Sequence, residues 1–199
     1  MKKEEIIIAA ESLARKAHKG QKQVTGKPYF EHPLEVSIIL RSWNQDEEVI
    51  SAGYLHDVVE DCNIPLAEIK KMFGKKVAFL VDGMSWVRSN KTGKKEYEAT
   101  YAKFAKYAKK EPSLVLIKMA DMLSNLPNIH VKSHRGWAIN KSYPRIMKFY
   151  IPFARAAGLS KYAKKAIGEY GRYTKKKIKS VLYDYISKKD IVKIKERLK

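Results

Sequence analysis

Between Tyr54 and Cys62 the chain reads Tyr-Leu-His-Asp-Val-Val-Glu-Asp-Cys, which sets His56, Asp57, Glu60 and Asp61 in an otherwise apolar stretch. Such a run is expected to be half buried, and carboxylates there are costly unless something compensates their charge. A divalent metal ion is the simplest compensator, because imidazole and carboxylate together suit Mn, Fe or Zn. A metal centre that activates water needs several neutral or anionic ligands and one open position. His56 and Asp57 supply two. Neighbours on a helix point about 100° apart, so both can face one ion only where the helix turns its side toward it, and further ligands must come from elsewhere. His32, in Phe-Glu-His-Pro, where Pro33 fixes the backbone, is one candidate. Asp121, which interrupts the apolar run Leu-Val-Leu-Ile-Lys-Met-Ala-Asp, is another. Taken alone, His32 would read as a capping or core histidine and Asp121 as the partner of a lysine.

Helices must position these residues. Ile6, Ala9, Ala10, Leu13, Ala14 and Ala17 recur at three- and four-residue spacing and predict an amphipathic first helix ended by Gly20. The polar segment through Gly26 and Pro28 reads as a loop, and Pro33 suits the first turn of a second helix that buries Val36, Ile39 and Leu40. A third helix opens at Asp46 and runs through Val49, Ala52, Gly53 and Leu55 into the acidic cluster. Pro65 starts a short helix closed by Gly74, and residues 77–81 form another. Residues 82–96 are expected to be irregular, a basic loop that is either a phosphate-facing lid or an ordinary solvated connection. Tyr101, Phe104, Ala105 and Ala108 mark an amphipathic helix, and residues 114–125 a more apolar, central one. Further helices are expected around 144–157, 160–170, 174–187 and 190–198. No hairpin or internal repeat stands out, so the expected class is all-α.

A chain of 199 residues suits one substantial domain spanning 1–199. No apolar run approaches ~18 residues, so no membrane span is expected, and the N-terminal Met-Lys-Lys-Glu-Glu-Ile-Ile-Ile does not read as a signal peptide. Cys62 is the only cysteine, which fits a reducing cytoplasm; beside the acidic cluster it reads as a small buried filler before a ligand. The formal net charge is +20, and residues 160–199 carry half of the excess, with 14 Lys/Arg against 4 Asp/Glu. Solvated helix faces and nucleic-acid binding compete as explanations. With no zinc-finger spacing, aromatic RNA-binding signature or clear recognition helix, the solvated reading is preferred for the tail. Positive charge near the pocket is assigned to a phosphorylated small molecule.

The order His, then His-Asp, then Asp resembles the HD superfamily of metal-dependent phosphohydrolases. His18-Lys-Gly-Gln, Gly26-Lys-Pro-Tyr-Phe-Glu-His-Pro, Leu55-His-Asp-Val-Val-Glu-Asp, Phe73-Gly, Leu80-Val-Asp-Gly, Ile117-Lys-Met-Ala-Asp-Met-Leu-Ser-Asn and Tyr150-Ile-Pro-Phe-Ala are similar to the hydrolase domain of RelA/SpoT-type alarmone enzymes. The likeness covers about residues 5–160 in the family's order, without counterparts of the synthetase and regulatory domains of the long enzymes, so the chain resembles a stand-alone small alarmone hydrolase.

This resemblance implies an HD-type helical bundle with a metal site in a central cleft, basic helices of residues 160–199 packed on it, and His32, His56, Asp57 and Asp121 as ligands of one Mn²⁺ ion. It assigns Glu60 and Asp61 to catalysis; their four-residue spacing from His56 and Asp57 sets them beside the ligands on a helix, where they can orient water. Asn125 and Thr25 are implied nucleotide contacts, while His18 reads as structural. The implied reaction is hydrolysis of the 3′-pyrophosphate of ppGpp or pppGpp to GDP or GTP and pyrophosphate. Several positions depart from the family pattern on its substrate side. Gln23 and Met122 replace Arg, Val24 a basic residue, Ser124 His or Tyr, and Pro127 another Arg. Arg is not interchangeable at stacking or bidentate sites. Another nucleotide, such as an adenosine alarmone or NADPH, is therefore the alternative, and a non-catalytic nucleic-acid-associated HD scaffold is the second.

Overall fold

The computed structural model describes residues 3–87 and 94–125, together with Pro152 and Arg155. These residues form α1 (Lys3–Ala17), α2 (Glu31–Ser42), α3 (Glu47–Leu55), α4 (Val58–Asp61), α5 (Leu66–Met84), α6 (Lys94–Lys110) and α7 (Ser113–Asn125). Among them there is no β-strand, only one isolated antiparallel bridge between Lys22 and Pro28. The class is all-α, as the periodicity predicts. No described helix is long and apolar enough to cross a membrane.

Helix α3 is the hub. Every residue from Val49 to Leu55 is buried, and α1, α2, α5 and α7 all pack against it. A short helix that is apolar on all sides is stable only when enclosed in this way. At Gly53 the enclosure is tightest: a Cβ there would lie 2.6 Å from Leu40 Cδ1 and 3.1 Å from Ser37 Oγ. The missing side chain lets α2 and α3 approach closely, which brings the first turn of α2 beside the C-terminal end of α3. Helix α7, with ten of its thirteen residues buried, closes the other side of α2.

The expected third helix does not run unbroken into the acidic cluster. It ends at Leu55, His56 and Asp57 form a turn, and α4 restarts at Val58. Gly74 does divide the next helical stretch, with φ 86° and ψ 178°, but its second half continues to Met84 rather than stopping at residue 81. Gly83, taken from sequence as a loop residue, is a packing residue: a Cβ there would lie 2.9 Å from both Leu114 Cδ2 and Tyr107 Cδ1. Helix α6 likewise begins at Lys94, inside the expected irregular stretch. Residues 88–93 of the basic loop lie outside the described residues. So do the helices expected beyond residue 143, apart from helical Pro152 and Arg155.

Asp46 starts the hub. Its Oδ1 accepts the Val49 N–H at 2.9 Å, and Lys76 Nζ lies 2.7 Å from its Oδ2 and 3.3 Å from Glu48. Losing an N-cap of this kind costs about 1 kcal/mol, and the exposed ion pair adds a few tenths. Asp46→Ala is expected to lower unfolding free energy by about 1–2 kcal/mol in urea titration at unchanged slope. An unchanged midpoint would contradict the assignment.

Candidate metal centre

Three segments converge: the first turn of α2 brings His32, the α3–α4 break brings His56 and Asp57, and α7 brings Asp121. His56 Nε2 is 3.0 Å from Asp57 Oδ2 and 3.2 Å from His32 Nε2. His32 Nε2 in turn lies 3.6 Å from Asp57 Oδ2 and 3.4 Å from Asp121 Oδ1. Donors about 2.1 Å from a shared ion are separated by roughly 3.0 Å in an octahedron and roughly 3.4 Å in a tetrahedron. The observed separations fit those edges, and the ligand atoms of His32, His56 and Asp57 all fall within 4.8 Å of one another, while Asp121 stands outside that group and meets it at His32 Nε2. The donor set therefore suits one divalent ion.

The helix break explains how sequence neighbours come to share that point. His56 Nδ1 lies 2.8 Å from the Gly53 carbonyl oxygen, the acceptor that the next turn of a continuous helix would use. A carbonyl has no hydrogen, so Nδ1 donates and Nε2 is the ring nitrogen that faces the cluster. Asp57 follows in the turn with φ −104° and ψ −9°, and its Oδ2 comes to 3.0 Å from His56 Nε2.

Asp121 has the lysine partner that one sequence reading expects and also faces His32. Lys118 Nζ lies 2.7 Å from its Oδ2, while its Oδ1 faces His32. Asn125 Nδ2 donates to Asp121 Oδ1 at 2.7 Å and to its backbone oxygen at 3.1 Å, which ties this residue to the cluster. Thr25 is exposed at the tip of the turn between Lys22 and Pro28, and among the described contacts none joins it to the donors. Glu60 and Asp61 both lie on α4. Glu60 Oε1 accepts the Trp86 backbone N–H. Asp61 Oδ2 is 3.2 Å from the Tyr29 hydroxyl, which donates to Asp57 Oδ2 at 2.7 Å.

Tyr29 and Lys118 were not singled out from sequence as site residues. Lys118 carried a signal, its i,i+3 spacing from Asp121 on one helix. Tyr29 carried none beyond its place in the turn before His32, because its carboxylate partners lie 28 and 32 residues away. His18, expected to be a structural residue of the first helix, lies just beyond the end of α1. It is buried, stacks on Tyr29 at 4.7 Å between ring centroids, and has Cys62 Sγ at 3.2 Å and Gln21 Oε1 at 2.7 Å from its Nδ1. Cys62 lies outside the convergent donor group, and burial pushes its thiol pKa up.

Charges in the cluster support one another. Burial alone would lower the His56 pKa, but the Asp57 carboxylate, Asp121 and the Gly53 carbonyl outweigh it and hold the imidazole at about 9. Asp57 is burdened by burial yet drawn below the usual carboxylate range by His56 and His32. Asp121 is likewise opposed by burial and drawn well down by Lys118 and the two histidines. Glu60 and Asp61 go the other way. Burial raises both, with Asp57 adding to it, against the Trp86 N–H on Glu60 and the Tyr29 hydroxyl on Asp61. Carboxylates with raised pKa values beside a cluster of imidazole and carboxylate donors have the character of proton-transfer groups.

The model of a family described as HD domain matches residues 10–160. A guanosine-3′,5′-bis(diphosphate) 3′-pyrophosphohydrolase of Aquifex aeolicus is 35% identical over 155 residues, covering 78% of this chain and 22% of the relative. A GTP pyrophosphokinase of Streptomyces coelicolor is 33% identical over 155 residues, covering 77% of this chain and 18% of the relative. The chain thus spans about a fifth of the length of these curated relatives. Among solved structures, one described as a metazoan ortholog of SpoT that hydrolyzes ppGpp is similar with a TM-score of 0.56 and 25% identity, covering 83% of this chain and 85% of that one.

With His56 held at about 9, the metal-stripped protein carries an imidazole proton at neutral pH that an incoming ion must displace. Affinity for Mn²⁺ is therefore expected to rise as pH increases, by up to about tenfold per unit across the neutral range, and to level off above the imidazole pKa. Calorimetry in buffers of different ionisation enthalpy should read about one proton released per ion. A pH-independent affinity would contradict the placement of that proton.

Proposed function

The chain belongs to the HD domain family, and we propose that it hydrolyses the 3′-pyrophosphate of the guanosine alarmones ppGpp and pppGpp, releasing pyrophosphate and GDP or GTP. The observation that carries this reading is the convergence of His32, His56, Asp57 and Asp121 beside the Glu60–Asp61 pair. The relatives' names include both synthesis and hydrolysis of such nucleotides. A buried cluster of imidazole and carboxylate donors favours hydrolysis, and the solved neighbour described as hydrolyzing ppGpp is matched over most of its length.

In this reading His32, His56, Asp57 and Asp121 hold one divalent ion, Mn²⁺. Such an ion supplies Lewis acidity toward a phosphoryl oxygen and toward water. Glu60 and Asp61 orient the attacking water and accept its proton. The Trp86 N–H fixes the Glu60 carboxylate, and the Tyr29 hydroxyl bridges Asp61 to Asp57, so neither member of the pair needs to reorganise before reaction. Burial of Tyr29 and the carboxylates around it push the phenol pKa far above its ordinary value, so Tyr29 acts as a fixed donor. Asn125, held on Asp121, and Thr25, at its turn, are the proposed nucleotide contacts.

Two observations favour a second reading, in which the nucleotide is an adenosine alarmone or NADPH. Gln23 donates its amide to the Pro28 carbonyl at 3.3 Å, and Met122 is buried at 3% exposure, so neither offers the guanidinium that the RelA/SpoT pattern has there. Pro127, the third position at which an Arg of the pattern is replaced, lies outside the described residues. A cytoplasmic location accompanies either reading, in keeping with a nucleotide substrate and a single reduced cysteine.

A panel of guanosine alarmones, adenosine alarmones and NADPH with Mn²⁺ is expected to yield pyrophosphate fastest from ppGpp or pppGpp. Fastest turnover of an adenosine substrate or NADPH would instead select the second reading. Glu60→Ala and Asp61→Ala should each lower kcat by roughly 10²–10⁴-fold while ion binding persists. His56→Ala and Asp57→Ala should lose both. Absence of phosphate release from every nucleotide, with salt-sensitive nucleic-acid binding untouched by these substitutions, would replace the enzyme reading with a scaffold.

A further inference from the structure

We propose that Glu35 and Ser124 are positioning residues that fix the tautomer of His32 and turn its Nε2 toward the metal centre. The inference rests on the metal-centre reading above and adds residues that neither the sequence motifs nor that reading assigned. His32 Nδ1 lies 3.0 Å from Ser124 Oγ, and Ser124 Oγ lies 2.8 Å from Glu35 Oε2. A serine hydroxyl has one hydrogen, and a carboxylate accepts but does not donate. The Ser124 hydrogen therefore goes to Glu35, and its oxygen is left to accept from His32. Nδ1 must carry the ring hydrogen, and Nε2 presents an electron pair to His56, Asp57 and Asp121.

This arrangement matches what a ligating histidine requires. The ring nitrogen away from the ion donates to an oxygen, and a carboxylate behind it raises the basicity of the ligand. Here the carboxylate acts through an intervening hydroxyl. His32 and Ser124 are 6% and 7% exposed, so water has little access to replace the serine. Glu35, three residues beyond His32 on α2, closes the relay at the protein surface. Ser124, three residues beyond Asp121 on α7, places both helices in one hydrogen-bonded register, with His32 and Asp121 facing each other across it. The other imidazole, His56, is fixed by the backbone oxygen of Gly53. Only the His32 anchor is built from side chains, so only it can be altered by substitution without disturbing the main chain. Sequence reasoning grouped Ser124 with altered substrate contacts; its hydroxyl instead points to the rear of a metal ligand.

The test compares wild type, Ser124→Ala, Glu35→Ala and Glu35→Gln by ¹⁵N imidazole shifts of the metal-stripped proteins, at a pH where the rings are neutral, and by Mn²⁺ titration. Wild type should show His32 protonated at Nδ1. Ser124→Ala removes the acceptor. Glu35→Ala frees the hydroxyl to donate to the ring, so both variants should shift His32 toward the Nε2–H tautomer and weaken Mn²⁺ binding by about 10–100-fold. Glu35→Gln, which keeps an accepting oxygen, should retain the wild-type tautomer. A structural role alone would lower thermal stability and leave tautomer and ion affinity unmoved. Glu35 is at the surface, so its variants report even if Ser124→Ala fails to fold. An Nε2–H tautomer in wild type, or wild-type tautomer and affinity in Glu35→Ala, overturns the relay. Failure of wild type to bind Mn²⁺ contradicts the hydrolase reading, whereas the tautomer comparison still decides whether the relay exists.

Discussion

Two imidazole nitrogens 3.2 Å apart, with carboxylate oxygens 3.0–3.6 Å from them, make up the constraint around which this molecule is arranged. Bringing electron-pair donors together in a buried place is unfavourable unless a cation or a shared proton stands among them. Leaving a buried charge uncompensated costs several kcal/mol, comparable with the ~5–15 kcal/mol by which a domain is stable. The helices therefore have to hold the donors where a cation or a shared proton can serve them together. Helix α3, buried from Val49 to Leu55, does this, because it cannot shift without disturbing four neighbours. Gly53 contributes twice: its absent Cβ lets α2 close on α3, and its carbonyl aims His56.

Around the donors lies a ring of anchored groups. Gly53 fixes one imidazole and Ser124 the other, Lys118 and Asn125 hold Asp121, and Tyr29 spans Asp57 and Asp61. Trp86 then ties Glu60 to the segment that leaves α5. The last turn of α5, just before that segment, is fixed from α6, where Lys103 Nζ lies 2.6 Å from Asp82 Oδ1 and the Tyr107 hydroxyl donates to Asp82 Oδ2. Orientation of the acidic pair thus depends on helices that contribute no ligand. This is the arrangement expected of a site whose groups are held in place before reaction.

Much of this was legible in the chain itself because the signals are local. Helix periodicity marked α1, α2, α6 and α7, and Pro33, Asp46 and Gly74 marked a first turn, a start and a break as punctuation residues should. His56 and Asp57 stood out as charge in an apolar run and His32 and Asp121 as candidates beside them, while the resemblance joined the four into one set. What was not legible depends on tertiary approach. Gly83 looks like a loop residue until Leu114 and Tyr107 are seen against it. The break at His56 needs the imidazole to take a backbone acceptor, which spacing alone cannot reveal. Tyr29, Glu35 and Ser124 matter through partners 28 to 92 residues distant.

The central claim is that His32, His56, Asp57 and Asp121 share one divalent ion. An anomalous difference map from crystals of the Mn²⁺-loaded protein tests it most directly. The account predicts a single peak about 2.0–2.3 Å from both histidine Nε2 atoms, from Asp57 Oδ2 and from Asp121 Oδ1. A peak elsewhere, coordination through either Nδ1, or no peak in a crystal grown with saturating Mn²⁺ would contradict it.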